Sequence, residues 1–225
     1  MNIINLKYEE AIPITEAFKN LEPTKRKRII NAALKEFAEK DFDHASTNSI
    51  VKNAGIGKGM LFYYFQNKRD LYLYLIDYCL MLNKREYLDL IDENEPDFIE
   101  RLKRASRIKW KLLQDNPDVL NFLGTVFLKD DDQLSDEVRQ KIEEVTQYGW
   151  EKIYKNINLS LFREDIDVEK AFKLIQWAIA GYEQEMKYRL HNQTLSSIDY
   201  EPYFKEFFGY LDVLKRSFYT KEEER

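Results

Sequence analysis

Three of the seven glycines in this 225-residue chain fall at alternate positions, Gly55, Gly57 and Gly59, inside a stretch otherwise made of helix formers. Upstream, Ile29, Ile30, Ala33, Leu34, Phe37 and Ala38 recur at helical spacing and predict an amphipathic helix over Thr24–Glu39. Ser46 and Thr47 are N-cap candidates for a short second helix, whose Ile50, Val51 and Ala54 face inward and which Gly55 ends. The apolar pattern resumes beyond the glycines at Leu61, Phe62 and Phe65. The reading is a helix, then two short helices joined by a tight turn.

The rest of the chain continues in helices. Asn67 is a candidate N-cap for a longer helix running through Leu71, Leu75, Tyr78 and Leu82 towards Leu90. Breaks at Glu93–Pro96, Asn116–Pro117, Lys129–Asp132 and Asn158–Asp165 separate five or six further helical patterns. The longest are Val168–Leu190 and Tyr200–Phe218. With only seven Gly and five Pro, strand punctuation is scarce and the expected class is all-α. Three segments follow: a leader at 1–21, a helix-turn-helix domain at 22–70, and a larger helical domain at 71–225. Cys79 sits in an apolar run and reads as a small buried hydrophobe. No segment reaches the length needed to span a bilayer, and the leader lacks a signal-peptide core, so a cytoplasmic protein is expected.

The net charge of −5 argues against indiscriminate coating of nucleic acid, yet it is unevenly placed. Between Glu22 and Asp70 there are ten Lys/Arg against six Asp/Glu, whereas Leu71–Arg225 holds 23 against 31. A basic module leads an acidic body, and Lys25, Arg26, Lys27 and Arg28 form its sharpest basic cluster. At 100° per residue, a helix over Lys58–Phe65 turns Leu61 and Phe65 inward with Phe62 on their flank. Gly59 and Tyr63 then point outward with Met60 beside them. A missing side chain at Gly59 permits close approach to a groove, and Tyr63 offers an aromatic edge and a hydroxyl. Lys58 near the start of this helix, and Lys68 at the start of the next, suit phosphates.

The stretch AALKEFAEKDFDHASTNSIVKNAGIGKGMLFYYFQNKRDL resembles the N-terminal domain of the TetR family of bacterial repressors. That resemblance implies a small DNA-binding domain ahead of a larger dimerisation and ligand domain. It implies DNA contacts at Thr47, Lys58, Gly59, Tyr63, Tyr64 and Lys68, with Gly59 and Tyr63 favoured for base edges and the others for phosphates. Three positions depart from the family pattern. Gly57 stands where Ser or Thr is usual, Phe62 where Tyr is common, and Asp41 where a turn glycine is frequent. Asp41 is therefore expected in a left-handed conformation, which Asp tolerates better than most residues.

The implied partners are operator DNA, a second copy of the chain and a small, largely apolar effector. The homodimer is expected from Val168–Leu190 and Tyr200–Phe218, packed against their symmetry mates as a four-helix bundle. Trp177, Tyr182 and Glu183 are candidate effector contacts, an apolar wall beside one carboxylate, with Trp110 and Phe122 on neighbouring segments. No cofactor is expected. His44 and His191 have no nearby Cys/His partner, so no metal site and no catalytic residue is assigned. A DNA-binding architectural or division-linked protein without an effector is the alternative, and a helical enzyme a remote one.

Overall fold

A computed structural model describes residues 14–127, 135–190, 193 and 197–220 of the chain. Among them there are helices and no strand, only two isolated β-bridges. The helices are α1 (Glu16–Lys19), α2 (Pro23–His44), α3 (Thr47–Ala54), α4 (Lys58–Tyr64), α5 (Lys68–Glu86), α6 (Phe98–Asp115), α7 (Pro117–Phe127), α8 (Asp136–Tyr154), α9 (Val168–Leu190) and α10 (Glu201–Phe218). The break read at Lys129–Asp132 and the tail 221–225 lie outside the described residues. No helix among those described is long and apolar enough to cross a membrane.

The chain divides into two compact units, Met1–Lys84 with Leu113–Glu143 and Arg85–Leu112 with Glu144–Arg225. They do not coincide with the 22–70 and 71–225 segments read from sequence. The reason is that α7 returns to pack along α2. Phe122 of α7 is fully buried in the first unit, with its ring edge-on to Tyr72 at 5.5 Å and 6.4 Å from Phe37. The periodic stripe of α2 is the heart of this unit, with Ile29, Ala33, Leu34 and Phe37 wholly excluded from water. Cys79 of α5 is equally buried, and desolvation pushes its thiol pKa far up.

Helix ends in this unit follow local chemistry. The Glu22 carboxylate accepts from the Thr24 and Lys25 N–H groups ahead of Pro23, a residue suited to the first helical position. Ser46 caps α3, accepting from Ser49 N–H. Gly55 at φ 63° ends it, with its own N–H donating to Lys52 and that of Ile56 to Val51, the paired bonds of a Schellman stop. Asn67 caps α5 as expected, accepting from Asp70 N–H at 2.9 Å while its amide donates to the Asp70 carboxylate. Asp41 takes the left-handed φ of 58° and kinks α2. Its carboxylate accepts from His44 N–H and faces the His44 ring, which lowers its pKa.

The second unit is built around Phe98, Ile99, Leu102, Ile153, Phe162, Ala171, Ile175 and Leu211. Its least ordinary member is Arg101, 1% exposed. Its guanidinium donates to the Glu93 and Glu95 carbonyls and to those of Lys152, Ile153 and Lys155 at the end of α8. The loop before α6 and the last turn of α8 thus share one planar fork of donors, which a lysine cannot reproduce. Arg101→Met leaves several buried carbonyls without a donor. It is expected to lower stability by about 3–5 kcal/mol in urea unfolding; a loss below about 1 kcal/mol would show that water replaces the guanidinium.

Candidate nucleic-acid interface

The α4 helix has seven residues and divides cleanly. Leu61 and Tyr64 are buried, as is Phe65 immediately after, while Lys58, Gly59, Met60, Phe62 and Tyr63 are exposed. Tyr63 is 58% exposed, and a Cβ built at Gly59 would meet nothing within 4 Å. The outward face read from spacing is therefore bare: a hydroxyl-bearing ring, a flexible thioether and a flat glycine. Gly57 occupies the N-cap and offers no side-chain bond, leaving Lys58 at the first helical position without a competing hydroxyl. Thr47 opens α3, partly exposed, next to the exposed Asn48. The sequence reading did not single out Asn48; a polar residue just inside a helix start was its only signal.

Two of the expected DNA contacts are engaged within the fold. Tyr64 is 2% exposed, its ring 5.4 Å from that of Phe18, so the ring belongs to the core. Lying three residues after Leu61, it shares the inward side of the helix. Lys68 is half-buried, with its ammonium donating to the Asp43 carbonyl at 3.1 Å and the Ala45 carbonyl at 3.2 Å, above the Phe42 ring. It closes the exit of α2. The basic cluster is likewise partly engaged: Arg26 donates to the Lys19 carbonyl and Arg28 to that of Ala54 at the end of α3. Lys27 and Lys58 stay exposed.

The expected effector residues fall in both units. Phe122 is core of the first unit, whereas the other four lie in the second. There Trp110 rests half-buried on Tyr200 at 4.2 Å, and Tyr182 stacks on Phe207 with its hydroxyl donating to the Tyr203 carbonyl. Burial and the neighbouring Glu206 push the Tyr182 pKa far up. Glu183 is exposed, and Trp177 is 61% exposed with Lys173 over its ring. Trp177 instead shares an outward face of α9 with Leu174, Ala178, Gly181 and Tyr188. A concavity of about 540 Å³ lies over α2, lined by residues that include Lys27, Arg28, Asn31 and Lys35. No cluster of His, Cys, Asp or Glu able to hold a metal occurs among the described residues.

Residues 29–75, spanning most of α2, all of α3 and α4 and the start of α5, match the model of bacterial regulatory proteins of the tetR family. The chain is 27% identical over 145 residues to the HTH-type transcriptional regulator YerO of Bacillus subtilis, a stretch that covers 64% of this chain and about half (48%) of YerO. It is 26% identical over 159 residues to the fatty acid metabolism regulator protein of the same organism, covering 66% and 76% of the two. Among solved structures, a TetR family regulator from Chloroflexus aurantiacus superimposes with a TM-score of 0.61 at 23% identity, over 92% of this chain and 99% of that one. FadR from Bacillus subtilis in complex with stearoyl-CoA does so with a TM-score of 0.52 at 22% identity, over 82% and 96%. Both likenesses are of fold.

The internal bonds of Lys68 and the bare face around Tyr63 generate a paired expectation. Lys68→Ala removes a charged donor from two carbonyls and should lower stability by about 1.5–3 kcal/mol. Tyr63→Ala, on the outward face, should leave the urea midpoint within about 0.5 kcal/mol of the parent. A Lys68→Ala chain as stable as the parent would return this lysine to the pool of free phosphate contacts.

Proposed function

We propose that the chain is a TetR-family helix-turn-helix transcriptional regulator that represses transcription as a homodimer on a palindromic operator and is released by a small, largely apolar effector. The observation that carries the reading is the division of α4. A helix buried through Leu61 and Tyr64 offers Gly59, Met60 and Tyr63 to a major groove, with Lys58 and Thr47 flanking for phosphates. The working segments are 22–70 for DNA and 71–225 for the dimer and effector, and the regulator acts in the cytoplasm on chromosomal DNA. Tyr63→Ala is expected to weaken binding to an enriched operator duplex by about 1–3 kcal/mol while leaving mixed-sequence binding unchanged. Equal losses on both duplexes would remove Tyr63 from base reading.

The dimer reading rests on apolar surface that one copy leaves bare. Leu174, Trp177 and Tyr188 on α9 and Tyr210 and Val213 on α10 are large, hydrophobic and exposed. Gly181 and Gly209 have open space where a side chain would stand, which lets a partner helix approach closely. Val213→Glu together with Trp177→Glu should shift the chain from dimer to monomer by light scattering, with helicity unchanged. A dimer that survives both charges is made by another surface. Two short recognition helices then require half-sites about 34–36 Å apart, or a multiple of that.

For the effector, a relative that regulates fatty acid metabolism and a fold neighbour solved with stearoyl-CoA make a long-chain acyl-CoA the first compound to test. By linkage, an inducer must bind the DNA-free dimer more tightly than the operator complex by the factor with which it weakens operator binding, typically ~5–150-fold. Stearoyl-CoA titrated with and without operator should show that difference; equal affinities in both titrations would exclude it as inducer.

A further inference from the structure

The segment just ahead of α2 docks against the recognition helix. Ile14 pairs with Phe65 in an antiparallel bridge, and Thr15 N–H donates at 3.4 Å to the carbonyl of Tyr64, the last residue of α4. One turn of helix, α1, then carries Phe18 inward until it is 1% exposed. Its ring lies 4.6 Å from Phe65, 5.4 Å from Tyr64 and 5.5 Å edge-on from Tyr74 of α5. Burial in this group pushes the Tyr74 hydroxyl up to about 12. The far end of the segment is fastened too, since the Lys19 carbonyl accepts from Arg26 of α2 at 2.8 Å.

We propose that residues 14–20 form a strap that sets the seating of the recognition helix, with Phe18 as the positioning residue for operator selectivity. A seven-residue helix cannot fix its own axis, because nucleating a helix is unfavourable and so few hydrogen bonds follow. What fixes α4 is its buried side, and Phe18 supplies the wall behind two of the three rings and chains that side buries. The coupling to the reading face is short. Tyr64 rests on Phe18, and the Tyr63 ring lies 5.9 Å from that of Tyr64. Removing Phe18 lets Tyr64 sink and the helix roll, which moves Tyr63 and Gly59 relative to base edges. Phosphate contacts from Lys27, Lys58 and the start of α3 depend less on that roll, since they follow charge and not a donor pattern.

The inference rests on the reading that the outward face of α4 meets bases, and its test separates the two. The full chain selects duplexes from a random-sequence library. Affinities of the parent, Phe18→Leu, Phe18→Ala and Tyr63→Ala for an enriched duplex and for a mixed-sequence duplex of equal length are then measured by anisotropy. The readout is the ratio of the two affinities. Partial unfolding reduces both affinities by the same competent fraction and leaves the ratio unchanged, so a purely structural role for Phe18 does not move it. The strap predicts that Phe18→Ala lowers the ratio by about tenfold, the scale of one misread base pair, and Phe18→Leu by a smaller factor, with mixed-sequence affinity held within about twofold. If Phe18→Ala fails to fold, Phe18→Leu decides alone. A parental ratio in the Phe18 variants, while Tyr63→Ala lowers it, overturns the strap and leaves base reading intact. A parental ratio in Tyr63→Ala removes the premise, and the inference with it.

Discussion

A helix of two turns such as α4 has no stability of its own, and this constraint governs the unit that holds it. Isolated helices of fewer than about 12–15 residues are marginal in water even with favourable sequences. The order of α4 must come from what Leu61, Tyr64 and Phe65 bury. Once that side is committed, helical geometry leaves Gly59 and Tyr63 outward. The same apolar burial that holds the helix therefore aims it, and the neighbours that supply the burial share in the reading. They include Phe18 from the strap and Tyr74 from α5.

Backbone carbonyls at helix ends form the second theme. An all-helical chain has unpaired carbonyls at the end of every helix, and burying one without a donor is costly. Here cations serve many of them: Arg26 for the Lys19 carbonyl, Arg28 for Ala54, Lys68 for Asp43 and Ala45, and Arg101 for the end of α8. Three of these residues belong to the basic N-terminal module. Part of its positive charge is thus engaged within the fold, and the salt dependence of DNA binding should be read against the cations that stay exposed.

Much of the fold was legible because its signals are local. The stripe of α2, the Ser46 and Asn67 caps, the stop at Gly55 and the left-handed turn at Asp41 each follow from a few adjacent residues. Burial of Leu61 and exposure of Tyr63 came from spacing alone. What escaped depends on contacts distant in sequence. The packing of Phe18 on Tyr64 was hidden because a short helical stretch over 14–20 does not show what its one large apolar residue packs against. Lys68 looked free because its carbonyl partners are more than twenty residues away. The surroundings of the expected effector residues were hidden for a related reason. An amphipathic stripe shows that a face is apolar, not what covers it, so Trp177 on the bare side of α9 and Phe122 in the core of the other unit read alike.

The account's central claim is that DNA meets the outward face of α4 while its buried face holds it in place. Hydrogen exchange of the chain, free and bound to the duplex it selects, tests this without any substitution. Slowed exchange across Lys58–Tyr64 and the start of α3, with α9 and α10 unchanged, is the predicted result. Protection that spares Lys58–Tyr64 and falls on another part of the chain would contradict it.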